Sequence, residues 1–339
     1  MIGSGQIAIA TIDHLPQFKE KIEMPITEIL PPLFALLMGI VVFFYLDLFC
    51  RKNKINRLST DSLFYVEADF PCAAPYCYRW IPSLLFGQID NIEKRKKWWS
   101  VATGTCLILS APTFYFVLLA MGLSSMQSLL GVWFFVWMHG IFRLNVFFLL
   151  LVDQFQILLV LLTTLSALHG WIIPTIALSL LSSGFGERAP VFSAIFSLSI
   201  WPAIGIIGHL IARKIITPGA LPANGPEDLW WLKTSVWKVG HKQNHSIILT
   251  YSIMILPWGL CAFLAPAGAY LFGMEYLNVL ISLIIALCVS YAQLLLATDR
   301  SRLYQWAFVP VIFFSVIVIP EWTYPIVYLL YPFYTTKII

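Results

Sequence analysis

The chain has 339 residues, of which 59% are hydrophobic and 11% charged, with a formal net charge of +4 and a mean hydropathy of +0.82. A soluble globular domain carries about 25% charged residues, so this composition excludes an ordinary water-soluble enzyme, and so small a net charge excludes a nucleic-acid-binding protein. No period-two alternation suggests a β-barrel, which leaves an all-α, polytopic transmembrane helical bundle.

Residues 1–28 lack a basic stretch followed by an apolar core and read as an N-terminal lead-in without a cleaved signal peptide. Residues 29–339 read as a single polytopic membrane domain. Its apolar runs predict spans at 29–49, 99–122, 126–142, 147–167, 171–184, 190–212, 247–273, 277–297 and 305–320. Each is set against the roughly 20 apolar residues that cross a hydrocarbon core. A short run near 322–335 brings the count to nine or ten. The runs WIIPTIALSLLSS (171–183) and WTYPIVYLLYPF (322–333) are short and contain proline, a pattern tolerated only inside protein or against a cavity.

Two polar segments interrupt this pattern, 50–98 and 213–246. The first holds Asp61, Glu67, Asp69 and Arg79 among aromatics and prolines, and it is basic at both ends, with Arg51, Lys52, Lys54 and Arg57 before and Lys94 to Lys97 after. The second carries Arg213, Lys214, Lys233, Lys238 and Lys242, with Trp230, Trp231 and Trp237 at a spacing suited to a helix at the membrane surface. The predicted spans put five crossings between the two segments and so place them on opposite faces. Both being basic, they cannot both satisfy the positive-inside rule.

Charge inside an apolar span is costly, which makes each such residue a candidate for function. Arg143 lies in HGIFRLNVFF, Asp153 in LLLVDQFQILL, and Glu187 and Arg188 in GFGERAPVF. The span order puts the first polar segment, the 143–153 junction and 184–188 on one face, where Asp61, Glu67, Asp69, Arg79, Arg143, Asp153, Glu187 and Arg188 can converge. Asp153 is expected to face the interior against a polar partner, with Arg143 or Arg188 as candidates. Asp299 and Arg302 stand three apart and read as a structural pair at a helix start. His139, His169 and His209 are isolated and read as packing residues. Cys72 and Cys77 are either a disulfide or two packed thiols.

TDSLFY (60–65) followed by APYCYRWIPSLL (74–85) resembles the signature that follows the first span in many multi-spanning glycosyltransferases of the GT-C class. GERAPVFSAIFSLSIWP (186–202), ILPWG (255–259) and AQLLLATDRSRLYQWAFVPVI (292–312) look like later landmarks of one bacterial branch of such proteins, so the resemblance covers residues 61 to 320. It implies a GT-C-like bundle in the bacterial inner membrane, with 50–98 outside the cytoplasm. It also implies transfer of a sugar from a polyprenyl-phosphate-linked donor to an acceptor at the membrane surface, with inversion. Asp61 then matches the leading acidic position, the general base, and Arg79 the arginine that holds the lipid phosphate. Glu67 or Asp69 is the second acid and the candidate ligand for a divalent cation, Mg or Mn. Members often show two adjacent acids here, whereas Asp61 stands alone. A lipid or solute transporter and a non-catalytic membrane scaffold remain as alternatives, the first because broken helices and intramembrane charges also belong to transporters.

Overall fold

The computed structural model describes residues 26–54, 73–74, 80–186, 188–216, 221–222, 258–296 and 305–336. Almost all of these are helical. The helices are α1 (Ile26–Lys52), α2 (Trp80–Phe86), α3 (Ile92–Ala120), α4 (Ser125–Trp137), α5 (Leu144–Phe147), α6 (Asp153–Leu168) and α7 (Ile172–Ser183). They continue with α8 (Arg188–Ser197), α9 (Ile204–Ile216), α10 (Cys261–Phe272), α11 (Leu277–Leu296), α12 (Phe308–Ile317) and α13 (Tyr324–Thr336). The strands β1 (Ala73–Ala74) and β2 (Leu221–Pro222) form a minimal parallel pair.

Two helices are long and apolar enough to cross a membrane, Glu28–Lys52 of α1 and Ile92–Ala120, which is α3. Two bent pairs raise this to four if each is one span. Ser125–Trp137 with His139–Phe147 is bent by 49°, and Phe308–Ile317 with Glu321–Pro332 by 100°. Against the nine or ten spans read from the sequence, the described residues hold two to four by length and composition, together with shorter apolar helices such as Asp153–Leu168 and Ile172–Ser183. The run 190–212 is broken between α8 and α9, where Leu198 adopts φ 47 and a 3-10 turn covers Trp201–Ala203. An apolar stretch is necessary for a span but does not make the helix continuous, and proline and polar residues divide these runs.

The chain path follows from the contacts. α1 and α3 lie side by side and antiparallel: Gly39 faces Ala111 and the backbone of Ile108, and Gly104 faces the Phe43 ring. From the end where α3 begins, α3 runs outward. α4 starts at the far end with a capping box, in which Ser124 and Gln127 satisfy each other's backbone N–H. It returns through a π-turn at His139–Arg143 and α5. α6 runs outward again and α7 returns. α8 enters beside α6, where the Ser193 hydroxyl bonds the Val160 carbonyl at 3.3 Å. α9 then comes back alongside α7, with His209 Nδ1 2.9 Å from the Ser183 carbonyl oxygen. Gly205 packs so closely on Ser179 that a Cβ there would collide with it. α8 and α9 thus form one hairpin that enters and leaves at the same end.

This path corrects the crossing count. Four passages and a hairpin separate α2 from the end of α9, not five crossings, so the two polar segments meet at one end of the bundle. The pairing of Ala73 with Leu221 and of Ala74 with Pro222 joins them there.

The main core lies where α3, α4, α8 and α12 meet. The Phe114, Phe135 and Phe308 rings pack at centroid distances of 4.9 to 5.7 Å, and Phe192 stacks on Trp306. Burying each such ring contributes about 1.5–3 kcal/mol in water. A second, smaller core sits at the end that gathers the polar segments. It contains Ile81, Phe86, Trp99, Leu150, Val152, Phe155, Leu159 and Phe185.

Candidate functional site

The second core is the floor of the site, and three separate stretches build it. α3 contributes Trp99, fully buried, with its ring 4.6 Å from Phe86 of α2 and 6.0 Å from Phe155 of α6 by centroids. Phe185, from the turn after α7, stacks on Phe155 at 4.7 Å. α2 is tied down at its start, where the Ile81 N–H donates to the Gly184 carbonyl at 3.2 Å. The Arg95 Nε donates to the Ile89 carbonyl at 2.9 Å, which fixes the connection from α2 to α3.

Between α5 and α6 the backbone unwinds through residues 148–152 while remaining buried. The Phe148 and Val152 carbonyls accept the Leu151 and Gln156 N–H groups, but others here lack backbone partners and must find them in a dry interior. Side chains supply them. Gln154 Nε2 donates to Asn145 O at 3.0 Å and to Phe148 O at 2.8 Å. Thr103 Oγ1 donates to Leu149 O at 2.6 Å, and Trp99 Nε1 to Leu151 O at 3.3 Å. The Asn145 carboxamide bonds the Ile141 carbonyl within the π-turn. Across the site, Gln156 Nε2 donates to Phe185 O at 3.2 Å. A Cβ on Gly186 would sit 2.6 Å from that nitrogen, so a side chain there would have to displace the carboxamide or the turn.

Among the charged residues singled out in the sequence, Asp153 is fully buried as the first residue of α6. The positive end of the helix dipole favours a carboxylate there. Arg143 closes the π-turn, also fully buried, and its guanidinium lies within electrostatic reach of the Tyr331 and Tyr45 phenols, toward α13 and α1. Arg188 opens α8, half-buried, just after the Gly184–Gly186 turn. The structure therefore gathers the backbone positions of Asp153 and Arg188 with the end of the first polar segment. Asp61, Glu67, Asp69, Arg79, Glu187, Asp299 and Arg302 lie outside the described residues, as do Cys72 and Cys77. Among the described residues no three His, Cys, Asp or Glu side chains gather as metal ligands.

Sequence reasoning that weighed only charges missed the neutral polar residues, namely Trp99, Thr103, Asn145, Gln154 and Gln156. The signal was present in LNVFF and VDQFQILL, where carboxamides interrupt apolar runs just as Asp153 does. The arrangement offers one buried carboxylate at a helix start, held among committed hydrogen bonds, beside a segment rich in acids. No family model, no curated protein and no solved structure matches this chain.

Proposed function

We propose that this protein is a multi-pass protein of the bacterial inner membrane. In this reading it moves a sugar from a polyprenyl-phosphate-linked donor to an acceptor at the membrane surface, on a GT-C-like scaffold. One observation carries the reading. α2, which directly follows Arg79, is docked by the Ile81–Gly184 hydrogen bond and the Phe86–Trp99 contact onto the bundle end that also holds Asp153 and Arg188. In this reading the segment with Asp61, Glu67, Asp69 and Arg79, which leads into α2 in sequence, works at that end. The resemblance of 60–85 to the GT-C signature supplies the chemistry. Asp61 takes the proton of an acceptor hydroxyl, and the acceptor oxygen attacks the anomeric carbon as the bond from that carbon to the phosphate oxygen breaks. Arg79 holds the departing polyprenyl phosphate. Asp153 and the carboxamides around it act as a rigid floor.

The test is transfer from radiolabelled polyprenyl-phosphate sugars to a lipid or soluble acceptor, with the purified full chain in liposomes. Asp61→Asn keeps size and removes the base, so the variant is expected to fold and to lose transfer. Retained transfer in Asp61→Asn overturns the role of Asp61. Absence of transfer in the wild type across the donor panel overturns the reading. A specific observation favours the second reading, a lipid or solute transporter. One helix is broken inside the bundle, at the π-turn after α4, and such breaks line substrate paths in transporters. Substrate uptake into liposomes without chemical change would select it.

A further inference from the structure

The two longest helices end in a cluster of cations. α1 finishes with Arg51 and Lys52, and Lys54 follows. α3, its antiparallel neighbour, starts with Lys94, Arg95, Lys96 and Lys97. The contacts of Gly39 and Gly104 across this pair put the last turn of α1 beside the first turns of α3. Arg95 is buried and occupied with the Ile89 carbonyl. Arg51 bonds Asp47 at 2.8 Å and Lys96 bonds Glu93 at 3.3 Å. Lys52, Lys54, Lys94 and Lys97 are exposed and have no carboxylate partner among the described residues. Arg213 and Lys214 lie in α9, which returns to the same end.

Beside the exposed Asp90, Asn91 and Glu93, the surface at this end also carries exposed apolar side chains. Leu48 is 64% exposed, Trp98 59%, Leu84 57% and Leu85 54%. A merely solvated charge run would not carry an apolar fringe of this kind. Lysine ammonium groups set against exposed leucine and tryptophan match a bilayer boundary, where phosphodiesters lie above acyl chains.

We propose that this end of the bundle binds the headgroups of anionic phospholipids, phosphatidylglycerol in class, on the cytoplasmic leaflet. Lys52, Lys54, Lys94 and Lys97 contact the phosphates, and Trp98, Leu84 and Leu85 rest in the acyl boundary. The leaflet follows from the corrected path. With both basic segments at one end, the positive-inside rule holds for both. This replaces the extracytoplasmic placement of 50–98 that the GT-C resemblance implies. The inference rests on the membrane-embedded reading and not on sugar transfer.

The full chain is reconstituted in nanodiscs of mixed phosphatidylglycerol and phosphatidylcholine, and the lipid retained through detergent exchange is quantified. The wild type is expected to retain phosphatidylglycerol several-fold over its share, an enrichment that falls in 0.5 M salt. Affinity is expected to drop about fivefold for each lysine changed to glutamine, so the four-lysine glutamine variant retains both lipids in proportion. A four-arginine variant keeps the enrichment, and it serves where the glutamine set does not fold. Equal retention of the two lipids by the wild type, or unchanged enrichment in the glutamine variant with an unchanged melting temperature, overturns the headgroup site. Asn53→Cys, at an exposed position between Lys52 and Lys54, reports the leaflet. A membrane-impermeant maleimide is expected to label it only after the cells are opened, and labelling of intact cells overturns the cytoplasmic assignment. Cytoplasmic labelling at Asn53→Cys would also count against the Asp61 and Arg79 roles, which the resemblance sets outside the cytoplasm, whereas lipid retention bears on the headgroup site alone.

Discussion

The chain breaks a helix in two places by different means. The break after α4 bends Ser125–Trp137 against His139–Phe147 by 49° and, with the connection that then reverses the chain into α6, lies inside the bundle, Met138, Phe142, Arg143, Asn145 and residues 149–155 all being buried. The break between α12 and α13 bends by 100° and lies at the edge, with Pro320 and Glu321 exposed and Trp322 at 76% exposure. The inner break commits Gln154, Thr103 and Trp99 to four backbone carbonyls. The outer one uses a proline and a single local cap, Thr323 to the Pro320 carbonyl at 2.7 Å. A freed carbonyl in dry protein costs about 1–3 kcal/mol unless it is bonded, whereas an exposed one can turn to water or headgroups. Interior irregularity therefore has to be written into the sequence as polar residues, and edge irregularity does not.

Gln154→Leu should separate the two breaks most sharply. It leaves the buried Asn145 carbonyl unbonded and the Phe148 carbonyl with only the Leu151 N–H at 3.2 Å. The expected loss is about 2–3 kcal/mol on the scale of soluble proteins, seen as a lower midpoint in thermal or denaturant unfolding of the detergent-solubilised chain. Hydrogen bonds inside membrane bundles average nearer 0.6 kcal/mol. A loss below that would mean the unwound segment repacks, and the contrast between the breaks would fall with it.

Gly186→Ala should have the next largest effect. Its Cβ would sit 2.6 Å from Gln156 Nε2, so either the turn moves or Gln156 gives up the Phe185 carbonyl. The expected cost is about 1–2 kcal/mol. The two positions share one contact, so adding Gln156→Ala should cost less than the sum of the single changes. Strict additivity in that cycle would show that the collision is relieved elsewhere.

How much of this was legible beforehand differs between the same two regions. The runs 171–183 and 322–333 were visible as short, and each holds a short continuous helix whose prolines do not break it, the bend before the second falling at Pro320. Span order also put the first polar segment, the 143–153 junction and 184–188 on one face, and among the described residues α2, 148–153 and Gly184 do share one end. The hairpin in 190–212 reads as one span because its mean apolar character is high, although Ser197, Ser199 and Pro202 flank the break at Leu198, which packing of α8 on α6 and of α9 on α7 holds in place. Missing that one break changed the parity of the crossings, which put the two polar segments on opposite faces when they in fact meet. The acids of 61–69 and Arg79 could be placed only by resemblance, since the stretch has no apolar period to fix its path.

Thr103→Val and Thr323→Val form the closest matched pair, one threonine serving each break. Valine keeps the shape and removes the hydroxyl. At Thr103 the lost donor serves Leu149 O from a fully buried position, so about 1 kcal/mol should be lost. At Thr323 the bonded carbonyl belongs to exposed Pro320 and also accepts the Thr323 backbone N–H at 2.9 Å. It keeps that partner and gains water when the hydroxyl goes. The change should stay within about 0.5 kcal/mol, at the edge of what unfolding midpoints resolve. A loss at Thr323 equal to that at Thr103 would mean the outer break is covered rather than exposed, and would move it into the same class as the inner one.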